Sequence, residues 1–262
     1  MLGNYEDFKK IIYNLTNIDL SYYKERQMKR RIDALIDKRG FKKYSSYVFE
    51  LKQNKVLYDE FLTYITINVS EFFRNPEQWK VLEEEVLPQI LENNIGEIRV
   101  WSAACSSGDE PYSLAMLLSK HMPNSKIKIY ATDIDSQILE QAQIGLYNIK
   151  SLKGVPEDML ANHFKQINET TYQISDKIKS FVEFSRHNLL KDNYHKNLDL
   201  IVCRNVLIYF TDEAKDMIYK GFHNSLKNKG FLFIGSTEQI IQPNLLGYKN
   251  FKSFFYQKNQ NS

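Results

Sequence analysis

Apolar residues recur at helical spacing from Tyr5 to about Tyr64, as at Phe8, Ile11, Ile12 and Leu15 and again at Met28, Ile32, Leu35 and Ile36. This stretch is therefore predicted to form a small all-helical domain, with Gly40 as a helix stop. After about residue 95 the pattern changes to short β-rich runs alternating with amphipathic helices, which predicts an α/β domain with a largely parallel sheet. Residues 97–103 read as its first strand. A turn of small residues follows, then a helix opening on Asp109, Glu110 and Pro111, where proline suits the first turn. Residues 126–132 read as a second strand and 135–142 as a second helix. Further on, 198–203 is a strand, Thr211 and Asp212 cap a helix running to about Lys227, and Gly230 closes it. Residues 231–235 and 251–256 supply the last two strands. Between these parts, 145–185 reads as a small insertion with a helix at 156–164 and short strands at 171–174 and 181–184. The polar tail at 258–262 is expected to fray.

Composition narrows the classes. With 43% hydrophobic and 26% charged residues, the 262-residue chain is ordinary globular protein. Its longest apolar runs, such as 206–210, fall far short of the ~20 residues of a membrane span, and no secretory signal is legible at the N-terminus, so a cytoplasmic protein is expected. Cys105, Cys203 and the five histidines show no metal-ligand spacing, so no metal is expected. The net charge of +3 is too mild to demand nucleic acid, but residues 1–80 hold 15 basic and 11 acidic side chains and carry +4. Residues 24–43 concentrate nine basic and three acidic residues, with Arg26, Lys29, Arg30 and Arg31 in two turns. That run is either a solvated helix face or a docking surface for an acidic partner.

The turn WSAACSSGDEPYS (101–113) takes a strand into small residues and then into a helix with an acidic start. Small side chains let a ligand approach the backbone. A dinucleotide loop would place several glycines here for a pyrophosphate; this turn has Gly108 alone and two carboxylates where a phosphate would sit. It favours a ligand with a cation and no phosphate, unless Asp109 and Glu110 merely serve the helix start. ATDID (131–135) then places a carboxylate where open α/β sheets bind ribose hydroxyls, Asp135 being the better helix cap of its two acids. Ribose, an amino-acid cation and no phosphate describe S-adenosylmethionine. Cys105 has no accompanying base, Cys203 and Trp101 read as core, and His187 reads as a structural hydrogen-bonding residue.

Five segments together resemble the CheR-type chemotaxis receptor methyltransferases: NVSEFFR (68–74), the 101–113 turn, ATDID, Asn188-Leu189, and CRNVLIYF (203–210). With the helical N-terminus they span nearly the whole chain. The resemblance implies a class I S-adenosylmethionine methyltransferase fold, Rossmann-like, with a seven-stranded mostly parallel sheet and a small β-subdomain insertion at about 145–185. It implies domains at 1–66 (helical, receptor-docking), 67–94 (linker and helix) and 95–262 (methyltransferase). It places Asn68, Ser70, Arg74, Glu110, Asp133, Asn188, Leu189, Asn205 and Val206 around S-adenosylmethionine, and gives Arg74 and Tyr209 catalytic roles. Ser70 stands where many relatives have threonine, and Asp109 where glutamate is common.

The implied reaction is methyl transfer to a receptor glutamate, giving a glutamyl methyl ester and S-adenosylhomocysteine. Cytoplasmic methylation helices of chemoreceptors are then the partner, and Arg26, Lys29, Arg30 and Arg31 the expected contacts. The short connection 166–171 lacks a glycine-rich loop, so no receptor C-terminal peptide tether is expected. A monomer is expected, with no nucleic acid and no membrane insertion. The rival expectations are a methyltransferase of another acceptor, or a non-catalytic module that binds S-adenosylmethionine or its demethylated product.

Overall fold

The computed structural model describes residues 3–92, 96–122 and 126–259, so the last three residues of the polar tail lie outside it. The chain forms two compact units: one from the chain up to Asn68 together with Ile208–Met217, the other from Val69–Leu207 and the chain from Ile218 onward.

The first unit is helical, as expected. It contains α1 (Tyr5–Thr16), α2 (Glu25–Lys38), α3 (Tyr44–Leu51) and α4 (Lys55–Thr66). Asn4 and Asn54 cap α1 and α4 by accepting backbone N–H bonds from Glu6 and Leu57, each worth ~1 kcal/mol. Gly40 closes α2 at φ 80°, with Gly40 N–H bonded to Asp37 and Phe41 N–H to Ile36, the paired bonds of a left-handed helix stop. The apolar periodicity is realised as a core of Phe8, Ile12, Ile32, Ile36, Tyr47 and Phe61, all 1% exposed or less. The unit is discontinuous in sequence. Lys24 N–H donates to Tyr209 O and Thr211 N–H to Tyr22 O, each at 2.8 Å, and Phe210 packs on Tyr23.

In the second unit α5 (Pro76–Val81), a π-helical turn (Leu82–Val86) and α6 (Leu87–Glu92) precede β1 (Ile98–Ala103), α7 (Asp109–His121), β2 (Ile127–Asp133) and α8 (Ser136–Ile144). Then come β3 (Leu146–Asn148), α9 (Glu157–His163), β4 (Phe164–Gln166), β5 (Thr171–Ile174), α10 (Asp176–Lys179) and β6 (Val182–Arg186). The chain continues through β7 (Leu198–Cys203), α11 (Asp212–Ser225, in this unit from Ile218 onward), β8 (Leu226–Ile234), β9 (Tyr248–Lys252) and β10 (Phe255–Lys258). Seven strands form one sheet in the order β6-β2-β1-β7-β8-β10-β9, parallel except at β10. β7 is buried along its whole length, as a strand covered on both faces must be. The strand order reverses between β1 and β7, so the carboxyl ends of β1, β2 and β7 border the crevice where such sheets bind ligands.

Three sequence expectations are corrected. The strand read at 181–184 as part of the insertion is β6, Val182–Arg186, which pairs in parallel with β2 from Ile129↔Val182 to Asp133↔Arg186; the insertion's own sheet is β3-β5-β4. α11 ends at Ser225, within two residues of the expected end, but Gly230 does not close it. Gly230 lies inside β8, where the register with β7 shifts and a Cβ would stand 3.0 Å from the Leu198 carbonyl. The segment 251–256 is not one strand but parts of two, an antiparallel hairpin that turns at Phe254 with φ 69°.

Candidate functional site

The turn after β1 alternates left-handed residues, with Ala104 at φ 62°, Ser106 at 50° and Gly108 at 88°. The two non-glycine residues cost ~1–2 kcal/mol each in that conformation, and neighbouring strands hold them there. Cys105 N–H donates to Thr132 O at 2.9 Å, and Ser106 N–H to Asp133 Oδ2 at 2.9 Å. A side chain at Gly108 would meet Ala142 Cβ at 2.9 Å, so glycine is required there by both conformation and space.

Asp133 ends β2 with its carboxylate 6% exposed, accepting from Ser106 N–H and, at 3.0 Å, from Asp135 N–H. Burial raises its pKa against these bonds. Its own carbonyl accepts from His187 N–H at 2.9 Å, which brings the loop with Asn188 and Leu189 to the same strand end. Asn188 closes that loop, its N–H on Asp192 and its Oδ1 accepting from Leu190 N–H. Asp135 caps α8 through Gln137 and Ile138, as read from the sequence.

The two acids of the 101–113 turn differ in surroundings. Asp109 is buried and accepts hydrogen bonds from Ser107 and Ser70, so the Ser70 hydroxyl is engaged by the protein itself. Glu110 accepts from Ser102 Oγ at 2.8 Å and lies 3.7 Å from Arg204 Nη1. Burial raises its pKa, with the Arg204 charge opposing the shift.

After β7, Asn205 is left-handed at φ 61°. Glu238 accepts from the backbone N–H groups of Asn205, Leu207 and Gly235 at 3.0, 2.8 and 2.7 Å, fixing the loop that carries half-buried Val206. The Asn205 Oδ1 and Ser106 Oγ atoms are buried without a hydrogen-bond partner, and a buried acceptor costs ~1–3 kcal/mol when unsatisfied. Arg74 is half-buried between left-handed Phe73 and Asn75. Its carbonyl accepts from Trp79 Nε1 and Arg204 Nη2, whereas its guanidinium has no hydrogen bond or ion pair among the described residues, Glu77 included.

The remaining predicted residues fall in the helical unit. Asn68 follows α4 and donates to Thr66. Tyr209 lines a cavity of about 210 Å³ with Lys24, Gln27, Met28, Arg30, Arg31 and Ile67. The four basic residues of α2 divide. Arg26 and Arg30 are exposed, but Lys29 pairs with Asp33 at 2.6 Å. Arg31 donates to Tyr64 O at 2.8 Å while stacking on its ring.

Sequence reasoning missed Arg204 and Glu238. Arg204 was visible within CRNVLIYF and Glu238 only as an acid beyond a strand, and neither carries a signal of the backbone groups it binds. Cys105 and Cys203 are buried with thiol pKa values pushed up by burial, the opposite of the lowered pKa that an activated cysteine needs. Among the described residues no group of three His, Cys, Asp or Glu side chains is placed to hold a metal ion, and no helix is long and apolar enough to cross a membrane.

Residues 3–66 match the family model described as CheR methyltransferase, all-alpha domain, and residues 68–254 match the one described as CheR methyltransferase, SAM binding domain. A chemotaxis protein methyltransferase of Listeria monocytogenes is 46% identical over 255 residues, 97% of each chain. One of Borreliella burgdorferi is 34% identical, covering 88% of this chain and 86% of its own, and one of Salmonella typhimurium 32%, covering 88% and 82%.

Proposed function

The chain belongs to the CheR methyltransferase family, and from that premise we propose that it methylates glutamate side chains on the cytoplasmic helices of chemoreceptors. S-adenosylmethionine supplies a methyl group on a positively charged sulfur, and a glutamate carboxylate, already ionised at neutral pH, receives it with no proton to remove. The protein's task is alignment and exclusion of water.

The residues present fit that cofactor. Asp133, held by the backbone N–H groups of Ser106 and Asp135, is the carboxylate for ribose hydroxyls. The orphaned Asn205 Oδ1 suits an amino group of the adenine, flanked by Asn188, Leu189 and Val206. Glu110 is the acid for the cationic amino-acid end, while Asn68 and Ser70 remain cofactor residues of this reading, with S-adenosylhomocysteine as the product.

The observation that carries the substrate assignment is Arg74, a guanidinium with no hydrogen bond or ion pair among the described residues, on a segment whose backbone is fixed by Trp79, Arg204 and Ser113. It offers planar, directional bonds to a carboxylate, and Tyr209 keeps the catalytic role that the family resemblance implies for it. An arginine that held the attacking oxygen too tightly would blunt it, so Arg74 serves by orienting the carboxylate. Exposed Arg26 and Arg30, with Lys29 and Arg31 beside them, suit an acidic helical partner. The connection 167–170, closed by the Asn168 side chain, supports action without a C-terminal peptide tether. The reading is of a cytoplasmic monomer without a metal.

The test is to mix the protein with methyl-labelled S-adenosylmethionine and a receptor cytoplasmic fragment. Label on glutamate that leaves as methanol in mild alkali is the expected result. Cofactor binding without transfer would discard the receptor as acceptor.

A further inference from the structure

Arg204, which follows β7, is buried, its side chain 3% exposed. Its Nη2 donates to Arg74 O at 2.6 Å, Gln78 Oε1 at 2.9 Å and Asn75 Oδ1 at 3.1 Å. Its Nη1 faces Glu110 Oε2 at 3.7 Å. The guanidinium lies against the rings of Phe233 and Trp79, 4.7 and 5.8 Å from their centroids. One planar group thus touches both the backbone that carries Arg74 and the carboxylate of Glu110.

Stability alone does not account for this arrangement. A buried ion pair replaced by apolar side chains is often neutral or stabilising, and Arg204 Nε is left buried without a partner. The segment it binds is also strained, Phe73 and Asn75 both lying in the left-handed region at φ 50° and 61°, a conformation that persists only where surrounding contacts over-determine it. Those contacts are the fork of Arg204, Trp79 Nε1 on the same Arg74 carbonyl at 3.0 Å, and the Phe73 N–H bond to Ser113 Oγ at 3.1 Å. Ser113 in turn donates to Asp109 O, one residue before Glu110.

We infer that Arg204 is a positioning residue that fixes the segment bearing Arg74 relative to Glu110, and so sets the substrate-carboxylate holder against the cofactor's cationic end. The inference rests on the reading of Arg74 and Glu110 given above. It separates two contributions: the simultaneous reach of Nη2 to the 74–78 segment and Nη1 to Glu110, which the single nitrogen of lysine cannot reproduce, and the charge in that place, which lysine keeps.

Three variants distinguish them: Arg204→Lys, Arg204→Met and Gln78→Ala. Each is measured for S-adenosylhomocysteine affinity, for KM and kcat on a receptor fragment, and for deuterium uptake by the peptide covering residues 70–78. Arg204→Lys is expected to keep S-adenosylhomocysteine affinity within threefold, lower kcat at least tenfold and raise uptake in that peptide. Arg204→Met is expected to lose at least tenfold in affinity as well. Gln78→Ala removes one acceptor of the fork, and a three- to fivefold fall in kcat at unchanged affinity is expected; it keeps the test decisive if Arg204→Met does not fold. Wild-type uptake and kcat in Arg204→Lys would overturn the inference, as would equal loss of affinity in the lysine and methionine variants. If the wild-type protein labels no receptor fragment, the proposed function fails by itself. Uptake and affinity, which need no acceptor, then still decide the role of Arg204.

Discussion

Tyr147, in the first strand of the small inserted sheet, donates its hydroxyl to the Ser107 carbonyl at 2.7 Å, so the insertion holds the turn that follows β1. Its ring stands edge-on to Phe72 at 4.8 Å, and the hydroxyl reaches the backbone between left-handed Ser106 and Gly108. Tyr147→Phe keeps the ring and removes one buried hydrogen bond, a loss of ~1–2 kcal/mol. S-adenosylhomocysteine affinity is expected to fall about three- to tenfold in a titration, with a melting point lower by a few degrees. Unchanged affinity would show that the insertion does not support the turn.

Arg74→Ala should reduce methyl transfer at least tenfold while S-adenosylmethionine binding is largely kept, because the guanidinium makes no bond among the described residues and the backbone bonds to Arg74 O survive the substitution. Arg74→Lys should recover little, since a point charge lacks the planar fork. Single-turnover transfer alongside equilibrium cofactor binding separates the two quantities. Unchanged transfer would remove Arg74 from the reaction.

Much of the fold was legible because its signals are local. β7 was read with its observed limits, Leu198–Cys203, since a short apolar run bounded by polar residues leaves little choice. Asp135 was recognised as a cap because its side chain acts on its own helix. The failures share a different cause. The hairpin turn at Phe254 and the shifted register near Gly230 depend on backbone conformations imposed by neighbouring strands, and β6 was assigned to the insertion because its four-residue helix α10 is too short to announce a crossover. Arg204 binds the Arg74 carbonyl 130 residues away, and Glu238 binds, besides nearby Gly235, the Asn205 and Leu207 N–H groups more than 30 residues away; no local pattern records which distant groups the fold will bring to them.

Acid should weaken cofactor binding at a pH above the ordinary carboxylate range. Burial is the first cause that raises the pKa of both Glu110 and Asp133. A carboxyl group with a raised folded pKa binds protons more readily folded than unfolded. The unliganded protein therefore loses stability from these two groups as pH rises from the unfolded pKa through the folded one. A cationic ligand acts in the opposite sense, because it needs Glu110 ionised and lowers its pKa on binding. Calorimetry of S-adenosylmethionine binding at a pH just above the ordinary carboxylate range, in buffers of different ionisation enthalpy, should reveal proton release that vanishes in Glu110→Gln. Release of the same size in that variant would move the effect elsewhere.

The basic helix should respond unequally to charge reversal, although its four residues look equivalent in sequence. Arg26 and Arg30 are exposed and have no hydrogen bond or ion pair among the described residues, so their charge is available to an acidic partner. Arg31 is tied to its own unit by a bond to Tyr64 O and a stacked ring, and Lys29 by its pair with Asp33. Reversing Arg26 and Arg30 together to Glu should therefore raise KM for a receptor fragment at least fivefold at low salt, with S-adenosylhomocysteine affinity and melting point unchanged. The effect should shrink as salt shortens the screening length below about 10 Å, since steering acts on encounter. Arg31→Glu should instead lower the melting point by several degrees, because a partly buried bond of ~1–2 kcal/mol is lost. Equal changes in KM and melting point for both variants would mean that α2 serves only the helical unit's own packing.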